Sequence, residues 1–275
     1  MPTIPAEEGT IQVGSASLHY EAAGAGPAVI LVHGFSLDLR MWDSQFHLLS
    51  GDYRTIRYDC RGFGKSTLPT NVPYTHAEDL ATLLRSVSTT KARVVGHSMG
   101  GQVVLEAAIR YPELVERVVL IDPWLVDFEF SPEWRALWSQ IAEFGARGDI
   151  EGAKDLWRRS SGLFPVASAE AGIEATRMVQ DYSGWHFANM PHKFVTPISD
   201  RLGEVAVPVL IIVGERDTPD FIAIADMLNV AIPTVRKEMI AGVGHMANME
   251  APTQVNVAIA EFLERGRRTG PGESP

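Results

Sequence analysis

The sequence predicts an α/β fold, a mostly parallel sheet with helices packed on both faces. Three observations carry that expectation. Short apolar, β-branched runs recur along the chain, stretches of helical character separate them, and polar residues of catalytic type gather just after the runs. Runs without polar alternation suit strands buried on both faces, as parallel sheets require. The space outside the carboxyl ends of such strands is where an open α/β sheet binds its ligand.

Taken in order, SLHYEAA (17–23) alternates loosely and reads as an early strand. AVILV (28–32), YRTIRY (53–58), RVVG (93–96), RVVLI (117–121) and PVLIIV (208–213) are continuous apolar or β-branched runs, and VRKEMI (235–240) is the last strand candidate. AEDLATLLRSV (77–87), GQVVLEAAIRY (101–111) and PTQVNVAIAEFLER (252–265) read as helices between and after them. The alternation stops between Pro123 and about Leu202, a segment without a strand-like run that holds five of the six tryptophans, Trp124, Trp134, Trp138, Trp157 and Trp185. Within it Trp134, Leu137, Trp138, Ile141 and Phe144 recur at helical spacing and form one apolar stripe. Such a stripe packs on the body of the protein, and some of its rings can line a pocket at the same time. The expected organisation is a core of residues 1–122 and 203–265, a helical cap of 123–202 and a disordered tail of 266–275, where charge, glycine and proline mix without apolar anchors.

The bulk composition narrows the class. A chain of 275 residues is one large domain or one domain with an insertion. With 45% hydrophobic and 21% charged residues it is globular with a real core. A formal charge of −10 repels phosphate backbones, so no nucleic-acid partner is expected. The lone Cys60 excludes an internal disulfide and fits a reducing compartment. The first residues, MPTIPAEEGTIQVG, lack the basic and apolar regions of a signal peptide, and no run approaches the roughly 18 apolar residues that cross a bilayer. The expectation is a cytoplasmic protein without a membrane partner, a monomer or a homodimer.

GHSMG (96–100) has the G-x-S-x-G form and sits between a predicted strand and a predicted helix, the context that form requires. At so sharp a junction Ser98 is strained, and Gly96 and Gly100 remove side chains that would collide with strand and helix. The turn lifts the hydroxyl clear of the sheet and aims the Met99 N–H, at the helix start, toward a bound oxygen. Other loops after the strands hold HGFS, DCRGFGKS, Asp122, GERDTPD and AGVGHMAN.

With these pieces in this order, HGF (33–35), DCRGFGKS (59–66), GHSMGG (96–101), GERD (214–217) and GVGH (242–245), the chain resembles the α/β-hydrolase superfamily in its serine-nucleophile branch. The resemblance covers about residues 11–265. It implies a mostly parallel eight-stranded sheet flanked by helices, with a helical cap inserted after the sixth strand. It also implies the order serine, acid, histidine, which falls on Ser98, Asp217 and His245. A neutral alcohol needs a base within hydrogen-bond reach. An imidazole titrates near the working pH and can take and return the proton. The acid holds the imidazole in the right tautomer. The N–H groups of Phe35 and Met99 become the expected oxyanion donors. Each such donor contributes ~3 kcal/mol of transition-state stabilisation.

Competitors exist for each place. Asp122 also ends a buried strand, and Glu215 and Asp220 lie near Asp217. Among the other histidines, His33 and His97 sit inside motifs and suit loop support, His19 and His47 look incidental, His76 suits a helix start, and His186 and His192 lie in the expected cap. Asp59 and Arg61 read as loop-fixing residues, and Cys60 lacks a paired base. The glycines of DCRGFGKS do not have phosphate-loop spacing, and no cluster has metal-ligand spacing, so neither cofactor nor metal is expected. A serine at the elbow argues against the aspartate-dependent dehalogenases and epoxide hydrolases of this superfamily. The expected activity is cleavage of a small carboxylic ester or lactone, apolar or aromatic, with Trp124, Trp138 and Trp185 as substrate contacts. Stretches 41–50 and 57–66 look similar to 3-oxoadipate enol-lactonases and small bacterial carboxylesterases. The same residues also suit a C–C hydrolase of vinylogous β-diketones, a cofactor-free perhydrolase, or, in another class, a ligand-binding receptor that kept the fold.

Overall fold

A computed structural model describes residues 5–70, 72–87, 90–164, 167–189 and 194–264. In chain order its elements are β1 (Glu7–Val13), β2 (Ala16–Ala23), β3 (Ala28–Val32), α1 (Asp43–Leu49), β4 (Arg54–Tyr58), α2 (His76–Val87), β5 (Ala92–His97), α3 (Met99–Arg110) and β6 (Val115–Ile121). The chain continues through α4 (Pro132–Ala146), α5 (Ile150–Ser160), α6 (Ala169–Asp181), α7 (Trp185–Ala188), β7 (Val209–Gly214), α8 (Pro219–Ala231), β8 (Val235–Ile240), α9 (Ala247–Glu250) and α10 (Pro252–Glu264).

The strands form one eight-stranded sheet in the order β1-β2-β4-β3-β5-β6-β7-β8. β2 pairs antiparallel with both β1 and β4, and the remaining neighbours are parallel. Every residue of β3, β5 and β7 is buried, which explains why their sequences carry no polar alternation. Successive parallel strands reverse direction of travel across the sheet at β3, which lies between β4 and β5. A crevice opens outside the carboxyl ends of strands at such a switch point. The HGF loop follows β3 and Ser98 follows β5, so both stand at that crevice.

The predicted strands 28–32 and 235–240 coincide with β3 and β8. β1 was not foreseen. It is an edge strand whose residues are mostly exposed, so it lacks the buried run that marks the others. α3 starts two residues earlier than predicted, directly after Ser98. The expected tail 266–275 lies outside the described residues.

Between β6 and β7 the described residues form helices and no strand. Their starts are written in the sequence. Ser131, Asp149 and Ser168 each accept a backbone N–H from the first turn of α4, α5 and α6, and Pro132 opens α4 where no N–H is needed. Both legs of this segment are pinned to α3. The Gln102 amide donates to the Thr196 carbonyl at 2.7 Å and accepts the Val126 N–H at 2.8 Å. Fully buried Glu106 accepts the Thr196 N–H at 3.0 Å. Ser131 Oγ donates to Asp220 at 2.7 Å, joining α4 to α8. Within α4, Trp134, Leu137 and Ile141 are buried, while Trp138 and Phe144 are half-buried against the core. Among the described residues no helix is long and apolar enough to cross a membrane.

Candidate active site

Ser98 is the only residue between β5 and α3, and it makes the turn with φ 50° and ψ −113°. A non-glycine residue pays a steric penalty there and persists only where its surroundings hold it. Its N–H donates to the Ile121 carbonyl at 2.9 Å, and its carbonyl accepts the Gly101 N–H at 2.9 Å and the Trp124 N–H at 3.2 Å. The flanking glycines allow the approach. A Cβ on Gly96 would lie 2.2 Å from the Gly100 carbonyl oxygen, and one on Gly100 would lie 2.1 Å from that of Val32. The hydroxyl is thereby raised at the amino end of α3, whose first N–H belongs to Met99.

Two other loops meet this turn. Asp217 lies between β7 and α8, and His245 lies between β8 and α9. His245 Nδ1 is 2.8 Å from Asp217 Oδ2, and both side chains are buried. The other Asp217 oxygen, Oδ1, accepts the Thr218 N–H at 2.6 Å. A carboxylate only accepts, so Nδ1 carries the imidazole hydrogen and Nε2 keeps its lone pair. Nε2 is buried, makes no hydrogen bond to any described residue, and so is not bonded to Ser98 here. Ser98 and His245 line the same cavity. The imidazole is braced on several sides. Phe221 stacks edge-on at 4.2 Å, His97 Nε2–H donates to the His245 carbonyl at 2.8 Å, and the neighbouring Gly244 N–H donates to Glu250 at 3.0 Å. Burial, with the neighbouring His245 imidazole acting in the same direction, pushes His97 well below the usual imidazole range. His97 is thus a neutral prop.

The remaining carboxylates are occupied elsewhere. Asp122, at φ 46°, is fully buried and accepts the Gly214 N–H at 2.8 Å on one oxygen and the Ala247 N–H at 3.2 Å on the other. Burial and then the charge of Asp217 push its carboxyl well above the ordinary range. Asp122 therefore ties the β7 end to the helix after His245. Glu215 accepts the Gly242 N–H, and Asp220 holds Ser131. Of these four, Asp217 is the one bonded to the imidazole.

The motif residues read as loop supports do hold loops. His33 Nδ1–H donates to the Gly34 carbonyl at 2.8 Å and its Nε2 accepts the Cys60 N–H at 2.9 Å, joining the loops after β3 and β4. Asp59 accepts the N–H groups of Leu39 and Lys65, and Arg61 forms two hydrogen bonds with Asp79, at 2.9 and 2.6 Å. Cys60 is wholly buried and burial pushes its thiol up, away from the thiolate a nucleophile needs.

The cavity beside Ser98 has a volume of about 550 Å³. Phe35, Ser98 and Met99 line it, together with eight Trp and Phe rings of the β6–β7 segment. Trp124 and Trp138 line it as expected, but Trp185 is not among the lining residues and packs instead edge-on against His186 at 5.1 Å. Trp134, from the stripe whose rings were expected to line a pocket in part, also lines it, as do Trp157 and Phe221, which were not foreseen there. The stripe on α4 supplied a signal for Trp134. Nothing local marked Phe221, which arrives from α8. Of the two histidines in the expected cap, His186 lines the cavity and His192 lies outside the described residues. Among the described residues, the carboxylates and guanidinia of the lining are limited to Glu129 and Arg135, both exposed. Among the described residues no group of three or more His, Cys, Asp or Glu side chains is placed to hold a metal ion.

The sequence profile of the alpha/beta hydrolase fold matches residues 27–252. The chain belongs to that family. A hydrolase by family, it is 28% identical over 258 residues to the carboxylesterase YbfK of Bacillus subtilis, covering 89% of this chain and 83% of that one. Among solved structures it is similar to a thermophilic esterase from Thermogutta terrifontis, with a TM-score of 0.79, 27% identity, and coverage of 94% of this chain and 98% of the other. The enol-lactonase of Burkholderia xenovorans LB400 shares the fold, with a TM-score of 0.78 at 24% identity over 93% of this chain and 99% of that one.

Proposed function

We propose that this hydrolase cleaves carboxylic esters or lactones through an acyl-enzyme on Ser98, with His245 as general base, Asp217 as its orienting acid, and the N–H groups of Met99 and Phe35 as oxyanion donors. Residues 123–202 act as a cap over the site. The observation that carries the reading is the 2.8 Å bond from His245 Nδ1 to Asp217, which leaves Nε2 as the accepting nitrogen in the cavity that Ser98 lines. In the first step Nε2 takes the serine proton as Oγ attacks the carbonyl carbon, and the carbonyl oxygen becomes an oxyanion. Collapse breaks the ester C–O bond, and the imidazolium returns the proton to the departing alcohol. Water, deprotonated by the same nitrogen, then attacks the acyl carbon, the C–Oγ bond breaks to release the acid, and the imidazolium returns the proton to Ser98 Oγ. For a lactone, alcohol and acid leave as one molecule. The proposal includes the cytoplasmic setting that the composition suggests.

The wall of the cavity supports a neutral apolar or aromatic substrate. Rings such as Trp124, Trp134, Trp138 and Phe221 surround the space, and among the described residues the one guanidinium of the lining, Arg135, is exposed. A substrate carboxylate buried among those rings loses its water without gaining a partner, which costs several kcal/mol. The expected result is a kcat/KM for a phenyl or octanoyl ester at least roughly 100-fold above that for an ester of similar size with a free carboxylate. Steady-state kinetics over neutral esters, lactones, charged esters and a dienone-type C–C substrate, with Ser98→Ala as control, provide the check. A strict preference for the charged ester would overturn the substrate class. Cleavage of the C–C substrate alone would overturn the ester reading.

A further inference from the structure

We infer that Trp157, on the cap helix α5, is a positioning residue that holds the oxyanion loop in its working shape through Ser36. The inference rests on the functional reading above. Ser36 follows Phe35, the proposed oxyanion donor, in the loop after β3. Its backbone has φ 62°, a left-handed conformation that glycine adopts freely and serine does not. The chain keeps a side chain there, and that side chain has one evident use. Trp157 Nε1–H donates to Ser36 Oγ at 2.8 Å, and both residues are buried, at 3% and 1% exposure.

The rest of the loop is held from the core side. His33 bonds to the Gly34 carbonyl, the Gly34 N–H reaches Met41 Sδ at 3.4 Å, and the Leu37 N–H donates to the Gly34 carbonyl at 3.3 Å. The Phe35–Ser36 peptide is the stretch fastened from the cap. The Phe35 ring points the same way, edge-on to Trp138 at 5.5 Å, to Trp157 at 5.7 Å and to Tyr182 at 6.0 Å. One hydrogen bond and a nest of rings thus join cap helices to the backbone that carries the donor. A donor misaligned by a fraction of an ångström stabilises the oxyanion less while ground-state binding changes little, because the donor is aimed at the charge that develops only in the transition state. Cap seating and catalytic competence are coupled at this contact.

A double-mutant cycle with Trp157→Phe and Ser36→Gly tests the inference. Phenylalanine keeps an aromatic ring and removes the N–H, and glycine removes the hydroxyl while accepting the backbone conformation. Each variant is expected to lower kcat on p-nitrophenyl acetate roughly tenfold with KM within about twofold. The Ki of an aryl trifluoromethyl ketone, whose adduct places an oxyanion in the hole, should rise by the same factor. The double variant should be no slower than either single one, because both remove one interaction. Single variants that keep kcat and Ki within twofold, or losses that multiply in the double variant, would overturn the inference even where melting temperatures fall. Ser98→Ala in the same assay separates the two readings. If that variant turns over normally, the functional reading itself fails.

Discussion

Ser98→Ala is expected to lower kcat on a neutral p-nitrophenyl ester by roughly four to six orders of magnitude while the melting temperature stays within about 2 °C of wild type. The chemistry needs the hydroxyl, but the fold does not. Ser98 is held by its backbone, through the Ile121 carbonyl on one side and the Gly101 and Trp124 N–H groups on the other, and alanine keeps all three bonds. Its Cβ is already present, so the strain at φ 50° is inherited unchanged. Residual turnover would come from the oxyanion donors and binding alone. Stopped-flow or long-time-course kinetics with a calorimetric scan measure both halves of the expectation. A variant within tenfold of the wild-type rate would remove Ser98 from the mechanism.

The second large effect separates two buried carboxylates. Asp217→Asn is expected to reduce kcat by roughly three to four orders of magnitude. The Thr218 N–H donates to Asp217 Oδ1 at 2.6 Å, so an asparagine must place its oxygen there and turn its NH2 toward His245. The imidazole then accepts on Nδ1, moves its hydrogen to Nε2, and can no longer take the serine proton. Asp122→Asn should behave differently. Its native carboxyl is pushed toward the neutral form, and an amide keeps one acceptor for the Gly214 or Ala247 N–H. The expected outcome is a melting temperature lower by about 3–6 °C from one lost buried hydrogen bond, with kcat within about tenfold of wild type. The opposite pattern, a nearly intact Asp217→Asn and an inactive Asp122→Asn, would reassign the acid.

The places of Ser98 and Asp217 just after strand ends were legible before the fold because those signals are local, while the preference for Asp217 over Asp122 came from the family resemblance. A buried apolar run ending in a polar loop marks a strand and its carboxyl end together, which is how Ser98, Asp217 and His245 came to one edge of the sheet. β3 and β8 lie where their runs end. The elements missed were those whose burial is decided elsewhere. β1 pairs by backbone hydrogen bonds along an exposed edge, with Glu7 to Val13 set against Ala22 to Ala16, and needs no apolar run. The cavity wall was only partly readable. The stripe on α4 announced Trp134 and Trp138, but Trp157 and Phe221 face the site because α5 and α8 are packed where they are. Trp185 shows the converse, an aromatic in the right segment that packs away from the cavity lining. Ser36 was invisible as a supporting residue, since a left-handed serine looks like any other serine until its dihedral angle and its Trp157 partner are known.

The β6–β7 segment and the loop after β3 also bear on the polarity of the cavity. Aromatic walls make the cavity apolar, and in such surroundings each proposed oxyanion donor would act more strongly than in bulk solvent. Glu106 and Gln102 fasten the legs of the β6–β7 segment to α3, the same helix whose amino end carries the Met99 N–H. The two proposed oxyanion donors are therefore each connected to the proposed cap by a separate route.

The most direct test is covalent labelling with a fluorophosphonate, followed by intact-mass and peptide mass spectrometry and residual activity on the same samples. The prediction is one adduct per chain, on the peptide that contains residue 98, with activity falling in proportion to its formation. Full hydrolytic activity in a sample labelled to completion there, or inactivation that tracks an adduct on a different residue, would contradict the account.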